Sequence, residues 1–389
     1  MSDLFYLLSR YLWFYRTKVL TLSFSLALVI AIPLGLSLLS NILSDHLKTR
    51  ALSTPLLLGA KGSALDLSIA ALYFGEQELP LMKYQRVEEL RESNLTKTIP
   101  IYRKYRVKSS PIVGTDLDYF DFRDLSFKEG RPFIRIGECV LGSDTAKKLD
   151  VKVGDTLVSS PESVFDIAGA YPLKMDVVGI LAPSLSADDL AVFTDIKTSW
   201  IIEGLAHGHE KLEKTPSAIL KREGETLIAN ASVMQYNYIT QDNIEGFHFH
   251  GNIDTFPINA IILIPEDHKA KTLLMGRYMS DHASLMLIEP KKVIQRVLER
   301  VFDIKDVALS VLLLLLAATF AISVLVFTLS IRLRKNEIET LKRIGVSRFK
   351  VNFLLLSEII TVILISTLLV FLSIMITYLF GDSLIYYFL

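Results

Sequence analysis

Three long apolar stretches interrupt an otherwise mixed pattern of hydrophobic and polar positions. Val19 to Ser44, Val307 to Ile331 and Ile359 to Gly381 contain no charged residue, and each exceeds the roughly 20 apolar residues a helix needs to cross a bilayer. Three transmembrane helices are predicted. Pro33 predicts a kink in the first. Its long apolar core and bulky aromatic leader, with no small-x-small site after it, argue for an uncleaved anchor over a signal peptide. Between the first and second spans the pattern shifts to short alternations and helical periods. PLLLGAK, TIPIYRKYRV, INAIILIP and the segment around VVGIL read as strands. SALDLSIAALYF reads as a helix capped by Ser63 with Asp66 in its first turn. KVGDTLV reads as a turn-linked β pair about Gly154-Asp155, and EPKKVIQRVLERVF as an amphipathic helix running into the second span. The fold class is a membrane protein of three transmembrane α-helices, with a large α+β periplasmic domain inserted between the first and second and a β-rich insert at about 135–260.

The stretch RLRKNEIETLKRIGVSRFK lies between the second and third spans. Ile338, Leu341 and Ile344 form one apolar stripe on a charged segment, Gly345 stands at a C-cap, and Ser347 can begin the next helix. Lys and Arg resist translocation, so Arg332, Arg334, Lys335, Lys342, Arg343, Arg348 and Lys350 place this loop in the cytoplasm, as Arg10, Arg16 and Lys18 place the N-terminus. The resulting order is a cytoplasmic interfacial segment 1–18, span 19–44, periplasmic domain 45–305, span 306–331, cytoplasmic helix and loop 332–350, span 351–381 and a periplasmic tail 382–389. The aromatic segment LFYLLSRYLWFY suits either a helix in the membrane interface or an extension of the first span. On spacing alone, the 332–350 segment is a basic cytoplasmic loop that is also helical. Glu358, one turn into the third span, lies near enough to the interface to snorkel.

Composition agrees with a membrane class. The chain is 51% hydrophobic with zero formal net charge and a mean hydropathy of +0.39, which implies neither nucleic acid nor an acidic polymer as partner. Cys139 is the only cysteine, so an internal disulfide is excluded, and a small buried hydrophobe is its simplest reading. Apart from Glu358 the spans lack the acids, bases or breaks that line a solute path, which favours lever action over conduction.

All seven histidines fall in the inserted domain, four of them as His-x-His pairs: His207 with His209, and His248 with His250. If FHFHG is extended, Phe247 and Phe249 lie on one face and both imidazoles on the other. The two pairs can supply a nitrogen-rich site for zinc, nickel or copper, with Glu203, Glu210 or Asp254 as further ligands. The alternative is that they are ordinary surface or core histidines that never meet. His209-Glu210 is followed by Glu213 where a metallopeptidase motif needs histidine, no G-x-S-x-G elbow is present, and LLLGAKGSALD lacks the spacing of a phosphate-binding loop. No catalytic residue is assigned.

RKNEIETLKRIGVSRFKV followed by LLSEIITVIL resembles the signature of the FtsX-like permease family, also called the MacB or LolC type. The matching positions are Lys335, Glu337, Ile338, Leu341, Gly345, Ser347, Arg348 and Glu358. LGSDTAKKLDVKVGDTLV and MDVVGILAPSLSADDLAVFTDI resemble the β-rich part of that family's periplasmic domain. The resemblance implies a non-catalytic ABC transporter permease subunit of the bacterial inner membrane, paired with a second permease subunit as homodimer or heterodimer. It also implies a separate cytoplasmic ATPase dimer that alone binds ATP. Arg334, Lys335, Glu337, Glu339, Lys342, Arg343, Gly345, Ser347, Arg348 and Glu358 are then the ATPase-coupling residues. The family pattern has a fourth span, for which GDSLIYYFL is too short, so a three-span variant is expected. TPLLLGAKGSALDLSIAALYF and FHFHG resemble permeases of zinc-regulated ABC systems, which implies Zn2+ as ligand or cargo and a periplasmic metal-binding partner. Extraction of lipoproteins or lipids, and a scaffold that regulates a cell-wall hydrolase, are the competing functions within the family.

Overall fold

The computed structural model describes residues 6, 9–10, 12–159, 172–209, 219–223, 226–229, 235–278 and 284–388 of the chain. It divides into two compact units, Met1–Asp45 with Arg296–Phe388, and His46–Gln295.

The first unit holds the apolar helices. Three helices, Arg16–Leu52, Pro290–Leu333 and one beginning at Arg348, are long and apolar enough to cross a membrane. Pro33 sits inside the first without interrupting it. Residues 382–388, expected as a separate tail, instead continue the third helix to Phe388. The first and third helices meet along one stripe: Val19, Ser23 and Ala27 on one, and Glu358, Val362 and Ser366 on the other, recur every fourth residue and are buried, the small Ser23, Ala27 and Ser366 among them. Ser23 Oγ donates to the Val362 carbonyl at 3.3 Å, and Ser366 Oγ to the Ser23 carbonyl at 3.0 Å. In lipid such contacts replace the hydrophobic drive that assembles soluble helices. A short helix, Lys335–Arg343, follows the second span and ends where Gly345 takes a φ of +90°, the left-handed conformation glycine adopts at least cost.

The second unit is built on a mixed ten-stranded sheet. Its order is Leu285–Ile288, Leu56–Ala60, Ala260–Pro265, Thr96–Val107, Ser110–Thr115, Val192–Asp195, Glu138–Leu141, Lys174–Leu181, Phe127–Gly130. Thr156–Val158 adds to it by pairing with Lys174–Leu181. KVGDTLV is therefore not a self-paired hairpin. The turn is there, with Gly154 at a φ of +97°, but the strand after it pairs with a strand more distant in sequence. Chain segments from both flanks enter one sheet, so neither flank folds as a separate layer. Leu56, Leu57 and Leu58 are fully buried, as a continuous apolar run flanked by strands on both sides should be. The Ala64–Leu72 helix begins at Ser63, whose hydroxyl accepts from the Asp66 amide at 3.2 Å.

Among the described residues, two hydrophobic clusters lie in the domain. One surrounds Trp200 with Leu56, Leu58, Tyr102, Ile261 and Leu263, and the other surrounds Cys139 with Val177, Val192, Ile201 and Ile202. The Ile196–Ile202 helix contributes to both clusters, and the chain leaves it directly toward the histidines.

Candidate functional site

Ala206–His209 and Phe247–Phe249 pair antiparallel, with His207 opposite His248 and Gly208 opposite Phe247. The pleat sends alternate side chains to opposite faces. On the inner face Ala206 is buried and Phe249 packs against both clusters, while Phe247 packs against the Cys139 cluster. A Cβ on Gly208 would stand 2.5 Å from the Phe247 ring, so the glycine of AHGH is required by that ring. On the outer face His207, His248 and His250 converge.

Their ligand atoms all lie within 4.8 Å of one another, and His250 Nε2 is 3.2 Å from His207 Nδ1. Ring centroids are 4.5 Å apart for His207 and His250, and 4.8 Å for His248 and His250. Tetrahedral zinc with Zn–N of about 2.0–2.1 Å requires nitrogens about 3.3 Å apart. The His207–His250 pair already has that spacing. His207 is half-buried, and His248 and His250 are exposed. Three neutral imidazoles form a borderline donor set suited to Zn2+, Cu2+ or Ni2+.

The other residues named from sequence are placed elsewhere or not described. Glu203 takes hydrogen bonds from Tyr102 at 2.8 Å and from Tyr105, and pairs with Lys104 at 2.6 Å. Its carboxylate is engaged there by two phenols on one oxygen and an ammonium on the other. Asp254 caps no member of the cluster, and its carboxylate is not among the converging ligand atoms. The backbone of His209 lies in the strand, whereas its side chain and Glu210 fall outside the described residues. Sequence spacing indicated the outer face of FHFHG, but only the pairing register brings His207 to it.

The profile of the MacB-like periplasmic core domain family matches residues 19–221. The chain belongs to that family. It is an FtsX-like, MacB-type ABC transporter permease and a membrane protein. Among solved structures it is similar to the periplasmic region of MacB from Actinobacillus actinomycetemcomitans at 13% identity and a TM-score of 0.34, covering 63% of this chain and 92% of that one. It is also similar to the extracellular domain of the noncanonical ABC-type transporter YknZ from Gram-positive bacteria, at 12% identity and a TM-score of 0.31, covering 60% and 98%. No curated protein matches the sequence.

The segment named for ATPase coupling in this MacB-type chain has a second feature at its base. Glu358 is buried, at 3% exposed. Lys18 of the first helix reaches one carboxylate oxygen at 2.5 Å and Arg334, at the end of the second span, reaches the other at 3.6 Å. Lys18 also donates to Ser330 Oγ at 2.8 Å. Arg334 lies 3.5 Å over the Tyr15 ring. One carboxylate thus meets cations from both other helices, directly before Lys335–Arg343 begins. Glu337, Glu339, Arg343, Gly345, Ser347 and Arg348 lie on or just after that helix with exposed or half-buried side chains, while the side chain of Lys342 is outside the described set. Lys18 was missed from sequence as a partner because it is 340 positions from Glu358. Its one signal was a lone lysine at the mouth of an apolar span.

Proposed function

We propose that this permease couples ATP hydrolysis by a separate ABC ATPase to movement of its periplasmic domain, and that the domain handles a divalent metal, zinc foremost. The observation that carries the metal reading is the convergence of His207, His248 and His250 within 4.8 Å on one face of a sheet whose other face is packed into the core. In that reading the protein holds the metal with imidazole nitrogens and moves it, or a molecule carrying it, by shape change outside the membrane. The coupling reading draws on the Lys335–Arg343 helix, its Gly345 stop and the Glu358 ion pairs, which supply a short charged lever fixed at its base. The chain itself is read as non-catalytic, residing in the bacterial inner membrane with the Lys335–Arg343 helix in the cytoplasm.

Calorimetric titration of the full chain in detergent with Zn2+, followed by metal analysis, tests the metal reading. Binding of about one zinc per chain, lost when His207, His248 and His250 are all replaced by alanine, is expected. Equal metal content in the variant would remove the site. For coupling, Glu337→Ala and Gly345→Val should leave the protein in the membrane while abolishing zinc-dependent function in cells. Full function in both would refute it.

A further inference from the structure

The His248 ring nitrogen Nδ1 stands 3.3 Å from the carbonyl oxygen of Gly246. A carbonyl can only accept, so the neutral ring carries its proton on Nδ1 and its lone pair on Nε2. His207 and His250 face each other Nδ1 to Nε2 at 3.2 Å, the spacing of two nitrogens on one tetrahedral ion.

The carbonyl that sets the His248 choice is itself held by one side chain. Gly246 ends the 3-10 turn Ile244–Gly246, and its amide donates to the Asn243 carbonyl at 2.9 Å. Asn243 Oδ1 accepts from the Thr240 amide at 2.7 Å, and its Nδ2 donates to the Tyr238 carbonyl at 2.9 Å. Both ends of the side-chain amide are therefore used inside the turn. Tyr238 donates its hydroxyl to Asp176 at 2.8 Å, and Ile239 and Ile244 pack on the Cys139 cluster. Because Asp176 lies on Lys174–Leu181, a strand of the ten-stranded sheet, the turn that launches the histidine strand is fastened to the large sheet.

We infer that Asn243 is a positioning residue for the metal site: by bracing the turn from Tyr238 to Gly246 it holds the Gly246 carbonyl on His248 Nδ1, which presents Nε2 to the ion. This rests on the metal reading above and adds to it the donor atom of each ring and the residue that selects one of them. The ion meets Nδ1 of His207, close to its own backbone, and Nε2 of His248 and His250 at the far ends of their rings. Each neutral ring keeps its proton on the opposite nitrogen. Whichever ring donates across the His207–His250 contact before the ion arrives therefore carries that proton on its other nitrogen afterwards, and no charge is gained or lost. Outer partners of this kind fix a ligand's tautomer and orientation, and losing one weakens a metal site by roughly 10–100-fold.

Labelled at its histidine nitrogens and loaded with a spin-active cadmium isotope, the full chain in detergent shows by NMR which nitrogens couple to the ion. Coupling to Nδ1 of His207 and to Nε2 of His248 and His250 is expected, each resonance assigned by replacing its ring with alanine. Coupling to His248 Nδ1 would overturn the assignment. Asn243→Ala should weaken zinc binding about 10-fold by calorimetry and leave His248 in a mixture of tautomers in the metal-free chain, with the near-ultraviolet circular dichroism retained. Asn243→Asp, which keeps the acceptor for the Thr240 amide, should recover part of the affinity. Wild-type affinity and a single His248 tautomer in Asn243→Ala would refute the positioning role. Glu245→Gln, an exposed position in the same turn, should bind zinc as the wild type does. A loss there as large as in Asn243→Ala would mean that the turn delivers a carboxylate in place of a carbonyl, and would equally refute it. If the wild-type chain takes up neither cadmium nor zinc, the metal reading fails as a whole, a result separate from the others.

Discussion

The first helix carries a buried ion pair near each of its ends, and the two are built differently. At Arg50 the guanidinium grips Asp188 with two bonds, 2.6 and 2.9 Å, and donates a third to Tyr119 at 2.7 Å. Tyr119 in turn donates to Asp188 at 2.6 Å, and Ser186 to the other oxygen at 3.0 Å. Side-chain exposures of 8% and 2% put this pair out of reach of water. At the other end Lys18 and Arg334 share Glu358, one in contact and the other at 3.6 Å. The first is a fork matched to a carboxylate, which fixes direction as well as distance. In the second, a point charge and a distant guanidinium compete for one acid, and their excess charge rests on aromatic faces, Lys18 on Phe327 at 5.1 Å and Arg334 on Tyr15. At the Arg50 end both oxygens of the acid accept two bonds each. The other end is held by a contact that can be shared between helices.

The clearest way to break the comparison is Asp188→Asn. Burial alone would raise the Asp188 carboxyl, but Arg50 and Tyr119 outweigh it and hold it below the usual carboxylate range. Its stabilisation is therefore present above the ordinary carboxylate pKa and lost as pH falls through the lowered one. Replacing it leaves Arg50 buried without a counter-ion, beside Arg123, and should cost about 3–5 kcal/mol. Thermal unfolding of the full chain followed by near-ultraviolet circular dichroism measures this. An unchanged melt would mean that the grip on Arg50 contributes nothing.

Glu358→Gln should cost less, about 2–3 kcal/mol, because both cations keep their aromatic faces and Lys18 keeps Ser330. The reversed pair, Lys18→Glu with Glu358→Lys, should recover part of the loss. Unfolding in mixed micelles reads both variants. If the reversed pair is no better than Glu358→Gln, the contact is not specific to charge geometry.

The two ends also differ in how far the sequence reveals them. The three apolar stretches and the basic loop are legible because length and charge are local properties, as are the Ser63 cap, the Gly345 stop and the face assignment of FHFHG. Arg50–Asp188 and Lys18–Glu358 are set by pairing across the chain, with partners that no local period names. The same limit explains KVGDTLV, where the turn was correct and the strand partner was not, and the histidines, where spacing offered two pairs and register joined one member of the first to both of the second. Glu203 was offered as a ligand because it is close in sequence, and lost because two tyrosines of a neighbouring strand hold it.

Gly208→Val probes a third kind of fastening, by shape alone. Its Cβ would stand 2.5 Å from the Phe247 ring, and moving that ring shifts the strand that carries His248 and leads directly into His250. The overpacking should cost about 1–3 kcal/mol and weaken zinc binding, with stability read by thermal melting and affinity by calorimetry. Gly276→Ala, in the His268–Tyr278 helix, with no atom within 4 Å of the added Cβ and ordinary helical φ, is the control for affinity. Equal zinc affinity in Gly208→Val and wild type would detach the metal from the register of the two strands.

The smallest effect sharpens the contrast between satisfied and unsatisfied acids. Asp116 pairs with Arg91 at 3.0 Å, yet burial and then the neighbouring Asp118 push its carboxyl up to about 7. Its sign is opposite to that of Asp188: the folded domain holds this proton more tightly than the unfolded chain. The favourable contribution is complete below the ordinary carboxylate pKa and is lost as pH rises toward 7, above which the ionised group is a standing cost. Asp116→Asn should therefore gain stability at pH 8 and lose the downward slope between pH 4 and 7. Forfeiting the partly exposed Arg91 pair offsets some of the gain, leaving on the order of 1 kcal/mol. Denaturant titrations across that pH range decide it. Overlapping profiles for variant and wild type would show that Arg91 neutralises Asp116 as fully as Arg50 neutralises Asp188, and the difference between a matched fork and a single contact would then lie in geometry alone.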